Sequence, residues 1–242
     1  MIDKAKEWFS EQPLGFVDIG ARGGIHPLIE PIADVVKVLS FEPDKDAARE
    51  VKDCLPVALS NREGRAILYR CAAPTNDSLR PINRKFIDRY GMLKFARIGS
   101  EEVHTTTLDC VLADIPGQGE FLKLDTQGTE YEILQGARRT LTERTAAIYC
   151  EVEFAELYKD QKHFSEIESF LRSYDFSFIG FDNMSYRSRT PHKGRERLLH
   201  ADALFIKDPL EHRMSQRQTQ VAAMAALLCG YDDFAAEIME HG

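Results

Sequence analysis

The sequence predicts a doubly wound α/β fold whose mostly parallel sheet closes in an antiparallel strand pair. Three observations carry this expectation. Short β-branched apolar runs alternate with helical periods along most of the 242 residues, the pattern that wraps helices around a parallel sheet. The first run enters a glycine-rich turn, FVDIGARGG (Phe16 to Gly24), and the second ends in an acid, Glu42; open α/β sheets bind ligands at such strand ends. The last three runs arrive late and close together, which suits an antiparallel pair.

Taken in order, strands are expected at 15–19, 36–41, 55–60, 66–71, 119–125, 146–153, 176–182 and 201–207. Residues 72–107, punctuated by Pro74, Pro81, Gly91 and Gly99, break the rhythm and read as an insertion over one end of the sheet. A helix should follow Gly128, with Ile133, Leu134, Ala137 and Leu141 at helical spacing. Another is expected over 165–174, capped by Ser165 and Glu168, with Ile167, Phe170, Leu171 and Tyr174 on one face. After Lys207 the chain turns Ala-rich and Pro-free. A helix over 218–229 would put Val221, Ala225 and Leu228 on one face, offering a contact for a second copy in a homodimer.

Composition limits the function. With 43% hydrophobic residues the chain can bury a full core, and a net charge of −8 repels phosphate backbones, so no nucleic-acid partner is expected. Five cysteines without a CxxC pair argue against a disulfide framework or zinc site and fit a cytoplasmic location. The longest apolar run, VAAMAALLCG, is about half of the ~20 residues a membrane span needs.

The glycine turn brings bare backbone and helix-terminal N–H groups to a ligand. Asp18, Gly20 and Gly24 shape it, and Glu42 stands where an acid accepts hydrogen bonds from ribose hydroxyls. An adenosine-type ligand follows. Arg22 occupies the place of the second glycine in a dinucleotide turn, which disfavours nicotinamide. An acid two residues before Gly20 suits a ligand with an amino group and a sulfonium, as in S-adenosylmethionine.

The second telling stretch is FLKLDTQGTEYEILQGA, Phe121 to Ala137, preceded by Thr107-Leu108-Asp109. Taken with FVDIGARGG, SFEPD, VALSNREG and YCEVEF, it makes the chain resemble the FkbM family of S-adenosylmethionine-dependent methyltransferases over about residues 15–207. The resemblance implies a class I methyltransferase domain, Rossmann-like, over 1–208, with a helical extension over 209–242. It also implies methyl transfer, usually to a hydroxyl of a sugar or natural product. Asp18, Gly20 and Gly24 match the family's cofactor loop and Glu42 its ribose acid; Asn61 is placed to approach the adenine, and Asp125, Gly128 and Glu130 match the D-x-x-G-x-E signature. Two positions depart from the pattern: Arg22 stands where the family commonly has Asn, and Gln127 where it commonly has Glu.

Methylating a hydroxyl needs a base. Asp125, Glu130, His104 and Glu153 are the catalytic candidates, with Glu151 and His200 beside them and at most one of Glu151 and Glu153 expected to face the site. These carboxylates could also hold Mg²⁺, but their spacing has no ligand motif, so no metal site is assigned. Arg187, Arg189, Lys193, Arg195 and Arg197, with Arg80, Arg84, Lys85, Arg89, Lys94 and Arg97 from the insertion, suggest a cationic rim. Arg187, Arg189 and His200 are therefore assigned to the acceptor, read as an anionic small molecule or glycan. An N- or carboxyl-methyltransferase and a non-catalytic cofactor-binding module stay open at this point.

Overall fold

The computed structural model describes residues 1–189 and 196–241, so Lys193 and Arg195 of the expected rim lie outside the described residues. In chain order the elements are α1 (Ile2–Lys6), β1 (Leu14–Ile19), β2 (Val36–Phe41), α2 (Lys45–Arg49), β3 (Cys54–Leu55), β4 (Ala58–Leu59), β5 (Gly64–Cys71) and α3 (Arg84–Arg89). Then come β6 (Arg97–Thr106), α4 (Leu108–Leu112), β7 (Phe121–Leu124), α5 (Glu130–Gln135), α6 (Arg138–Glu143), β8 (Ala147–Glu153) and α7 (Phe164–Arg172). The chain finishes with β9 (Phe176–Arg187), β10 (Arg197–Lys207), α8 (Gln216–Leu228) and α9 (Asp232–His241).

Seven strands form one sheet in the order β3-β2-β1-β7-β8-β10-β9. The order places β1 and β7 side by side at the centre, so the chain reverses its direction of winding between them. Pairing is parallel from β3 to β8, and β10 runs antiparallel to both β8 and β9. Every residue of β1, β7 and β8 is buried, as expected of parallel strands covered on both faces. Alternate residues feed two cores. Leu14, Phe16, Phe121, Tyr149, Leu204 and Ile206 pack with α1, α8 and α9. Val17, Ile19, Leu122, Leu124, Ile148 and Phe205 pack with α4 to α7.

Several expectations change. The run at 55–60 is not one strand: Pro56 interrupts it, β3 joins the large sheet, and β4 crosses into a second sheet of order β4-β6-β5. The strand expected at 66–71 belongs to that second sheet too. It pairs antiparallel with β6, a ten-residue strand inside the stretch read as irregular. β6 is mostly exposed and has little apolar alternation to reveal it. Helix α7 begins at Phe164, and Glu166 rather than Glu168 accepts the His163 N–H at 2.9 Å. The helix after Gly128 breaks at Gly136, where a Cβ would lie 2.1 Å from the Ser60 carbonyl oxygen.

Helix α8 starts at a Ser215–Gln218 capping box. Val221 through Leu227 are all buried, and Val221 and Ala225 lie within the chain's own core beside Phe9, Phe121 and Ala146. The face expected to meet a second copy is thus covered from within. No described helix is long and apolar enough to cross a membrane.

Candidate functional site

The carboxyl ends of β1, β2 and β7 open into a pocket walled by Ile19, Phe41, Val57, Leu59, Leu68 and Ile133. Gly20, Arg22, Glu42, Asp77, Asp125 and Gln127 bring polar groups to it. Gly20 adopts φ +84°, and a Cβ there would lie 1.8 Å from the Asp125 carbonyl oxygen, so glycine alone lets the ends of β1 and β7 converge. Glu42 is 5% exposed. Its Oε1 accepts the Asp44 N–H at 2.8 Å and lies 3.5 Å from Arg22 Nη2, while no described residue bonds its Oε2. Burial raises its pKa against the pull of the Asp44 N–H and Arg22. An apolar slot with one buried, half-free carboxylate fits a nucleoside, whose base the walls could enclose and whose ribose could donate to Glu42.

Asp18 plays another part than the one expected. It is fully buried and does not line the pocket. Its Oδ2 accepts the His26 N–H at 3.1 Å, and its Oδ1 lies 3.2 Å from Lys123 Nζ, which also donates to the Gly20 carbonyl. Burial pulls the Lys123 ammonium down, but Asp18 and Asp125 outweigh it and hold the pKa above the usual lysine value. The pair fastens the glycine turn to β7. Gly24 closes that turn through its N–H to the Ala21 carbonyl at 3.1 Å and does not line the pocket. Asn61 is exposed, bonds Gln135 at 3.2 Å and also lies outside the pocket.

A second pocket adjoins the first, and both are lined by Thr75, Asp125 and Gln127. Its other walls are Met92, Leu93, Lys94 and Phe95 from the insertion, Leu157, and Glu151, Arg187, Leu199 and His200 from the antiparallel end of the sheet. His200 Nδ1 lies 3.0 Å from Glu151 Oε1. Burial lowers the His200 pKa, so the ring is neutral at pH 7. Burial, then the nearby Asp125 and Glu153, push Glu151 well up. Arg187 reaches this pocket, whereas Arg189 is exposed and pairs with Glu196.

Gln127 binds the two pockets together. Its Nε2 donates to Asp125 Oδ1 at 2.8 Å and Glu151 Oε2 at 2.9 Å, its Oε1 accepts from the Tyr158 hydroxyl at 2.9 Å, and its carbonyl accepts from Ser78 at 2.7 Å. A glutamate here would set a third carboxylate between two others. The departure from the family pattern, read as the loss of an acid, supplies a donor that keeps Asp125 and Glu151 close.

Glu130 is 1% exposed and lines neither pocket. Its carboxylate accepts the N–H groups of Thr126 at 2.6 Å and Gly128 at 3.0 Å, tying the loop after β7 to the start of α5. Burial lifts its pKa to about 7 despite those bonds. Glu151 and Glu153 share a face of β8, because residues two apart on a strand point the same way, so alternation does not separate them; depth does, since Glu151 lines the second pocket whereas Glu153 is 1% exposed and lines neither, which removes it from the candidate bases. Glu130, Glu151 and Glu153 each present an oxygen within 4.8 Å of the others. The Glu130 and Glu151 oxygens are engaged, and only Glu153 has both unbonded, so the trio is short of free ligand atoms for a metal. His104 sits exposed on β6 in the second sheet and lines neither pocket, which removes it from the candidate bases.

A seven-stranded sheet of this order, with a nucleoside-sized slot at its central strand ends and an adjoining second pocket, defines the class I methyltransferase fold. The sequence of the Methyltransferase FkbM domain matches residues 18–178, more than half of the chain. The chain belongs to the FkbM methyltransferase family. Among solved structures it is similar to a methyltransferase FkbM from Methylobacillus flagellatus KT, at 16% identity and a TM-score of 0.44, covering 80% of this chain. The match spans only 43% of that longer chain. It is also similar to magnesium protoporphyrin IX methyltransferase from Synechocystis PCC 6803 with bound SAM, at 10% identity and a TM-score of 0.38, covering 85% of this chain and 77% of that one. No curated protein matches the sequence.

Proposed function

We propose that the protein is an S-adenosylmethionine-dependent O-methyltransferase acting on a hydroxyl of an anionic saccharide or sugar-containing metabolite. The observation that carries this reading is the junction at Asp125 and Gln127, where a nucleoside slot meets a pocket holding a neutral histidine on a buried carboxylate. S-adenosylmethionine, when bound, supplies a methyl group already activated by a sulfonium, so the chain must align the acceptor and take up a proton.

In the first pocket, Glu42 accepts from the ribose hydroxyls while Phe41, Val57, Leu59 and Ile133 enclose the base. In the second, Glu151 holds His200 through Nδ1 and leaves Nε2 for the acceptor hydroxyl. With the methyl donor bound, the acceptor hydroxyl would give its proton to Nε2 as its oxygen bonds the methyl carbon and the S–CH3 bond breaks to leave S-adenosylhomocysteine, with Glu151 positioning the ring. Lys94 and Arg187 at the pocket wall favour an acceptor with a negative charge beside its reactive hydroxyl.

Calorimetric titration with S-adenosylhomocysteine and, separately, NADH tests the reading. Micromolar binding of S-adenosylhomocysteine that collapses in Glu42→Ala, with no binding of NADH, is the expected result. Absence of S-adenosylhomocysteine binding would overturn it.

A further inference from the structure

Arg22, which the family pattern does not explain, is the one cation among the described residues that line the first pocket, against the acids Glu42, Asp77 and Asp125. Its Nη2 lies 2.7 Å from Asp44 Oδ2, 3.5 Å from Glu42 Oε1 and 3.6 Å from Asp77 Oδ2. Two of these carboxylates already have another guanidinium. Arg70 Nη1 bonds Asp44 Oδ2 at 2.7 Å and Asp77 Oδ2 at 2.8 Å, and its Nη2 bonds Glu101. Glu42 likewise keeps the Asp44 N–H. Arg22 can therefore leave all three acids without stranding a buried charge, and its side chain is still 21% exposed and so has room to move.

A ligand made of adenosine joined to an amino acid brings a carboxylate into this acid-lined slot, where an unpaired anion would be repelled. We propose that Arg22 is the counter-ion of that carboxylate: its guanidinium exchanges Asp44 and Glu42 for the ligand while Arg70 retains the network behind it. The inference rests on the cofactor reading above. A guanidinium matches a carboxylate with two parallel hydrogen bonds, which the Asn common in the family at this position cannot supply as a charged pair. The exchange also frees Glu42 for the ribose, so the two ends of one ligand are read by coupled events: the carboxylate draws Arg22 away from the acid that the sugar needs.

The consequence is a selective response to the amino-acid half of the ligand. Native chain, Arg22→Ala and Arg22→Lys would be titrated calorimetrically with S-adenosylhomocysteine and with 5′-methylthioadenosine, which has the same nucleoside but no amino-acid group. Arg22→Ala should weaken S-adenosylhomocysteine by at least about tenfold, the loss expected of a charge-assisted pair. It should leave 5′-methylthioadenosine within about threefold of native or bind it more tightly, because Glu42 is no longer shared. Arg22→Lys should fall between, since it restores charge without the planar fork. Thermal melting of Arg22→Ala close to native would show that Arg70 holds Asp44 and Asp77 alone. Equal weakening of both ligands, or no weakening of S-adenosylhomocysteine, overturns the role of Arg22 while the cofactor reading survives. Failure of native chain to bind either ligand overturns both.

Discussion

The base role proposed for His200 rests on its surroundings rather than on its residue type. Glu151 Oε1 lies 3.0 Å from one ring nitrogen, and burial keeps the ring neutral near pH 7. The pKa is lowered from 6.5, so the base is lost only when pH falls below that value. Turnover with a hydroxyl acceptor should thus be flat above about pH 6.5 and fall on the acid side. His200→Gln should reduce kcat by about 10²–10⁴-fold, with S-adenosylhomocysteine affinity unchanged in calorimetry, because His200 lines only the second pocket. An unchanged kcat, or a pH profile in the variant with the same acid limb, would assign the proton to Asp125 instead. The sequence made the residue types of this site legible: Glu42, Asp125 and His200 all reach a pocket. It did not make their partners legible, because Asp18 meets Lys123 across neighbouring strands and Gln127 meets Glu151 across 24 positions. A cofactor acid and a loop fastener look alike until register is known, and so do a base and a loop tie such as Glu130.

Elements were legible where burial leaves a pattern and obscure where it does not. Strands β1, β7 and β8 are short, fully buried and mostly apolar, and their expected bounds agree with the structure within a residue or two. Strand β6 gains its identity from hydrogen bonds to β4 and β5, which leave little trace in an exposed sequence. Helix α8 is buried nearly all round, so choosing one face for a partner was an inference from periodicity that packing overrides. The break between α5 and α6 is the reverse case: Gly136, near the end of FLKLDTQGTEYEILQGA, is visible in the sequence, but its reason is steric. Gly136→Ala would add a helix-favouring methyl worth up to about 1 kcal/mol, but at 2.1 Å from the Ser60 carbonyl the contact must be relieved by moving backbone. Overpacking of this kind costs about 1–3 kcal/mol, so the net effect is destabilising. A lowered melting temperature, by about 2–4 °C per kcal/mol in a chain of this size, is the expected reading. A variant that melts at or above native would mean that the α5–α6 corner yields freely.

At the scale of the whole molecule, both pockets open where the parallel strands end, and the sheet holds acids beneath them at a cost that depends on pH. Glu130, Glu151 and Glu153 crowd one face within 4.8 Å, with Asp125 and Arg80 the other charges acting on Glu153. Burial first raises all three pKa values above 4.5, that of Glu130 to about 7; the charge of Asp125 adds to each, and for Glu151 and Glu153 neighbouring glutamates add more. A folded-state pKa above the unfolded one means that the native chain keeps protons the unfolded chain has lost. Stability from these groups is therefore greatest below about pH 4.5 and declines as pH rises through the folded values. His26 and His200, lowered chiefly by burial, act in the opposite sense and lose stability as pH falls below 6.5. The total curve mixes these effects, but one substitution separates them. Glu153 has both oxygens unbonded at 1% exposure, so Glu153→Gln keeps the shape of its protonated form while removing the charge. Native and variant should unfold at nearly the same denaturant concentration at pH 5. By pH 8 the variant should lead by about 1–3 kcal/mol, the cost of a buried group left without partners; the two histidines cancel in the difference. A gap that stays constant with pH would mean that the fold already compensates the Glu153 charge, and that the acids beneath the site are neutralised by something other than protons.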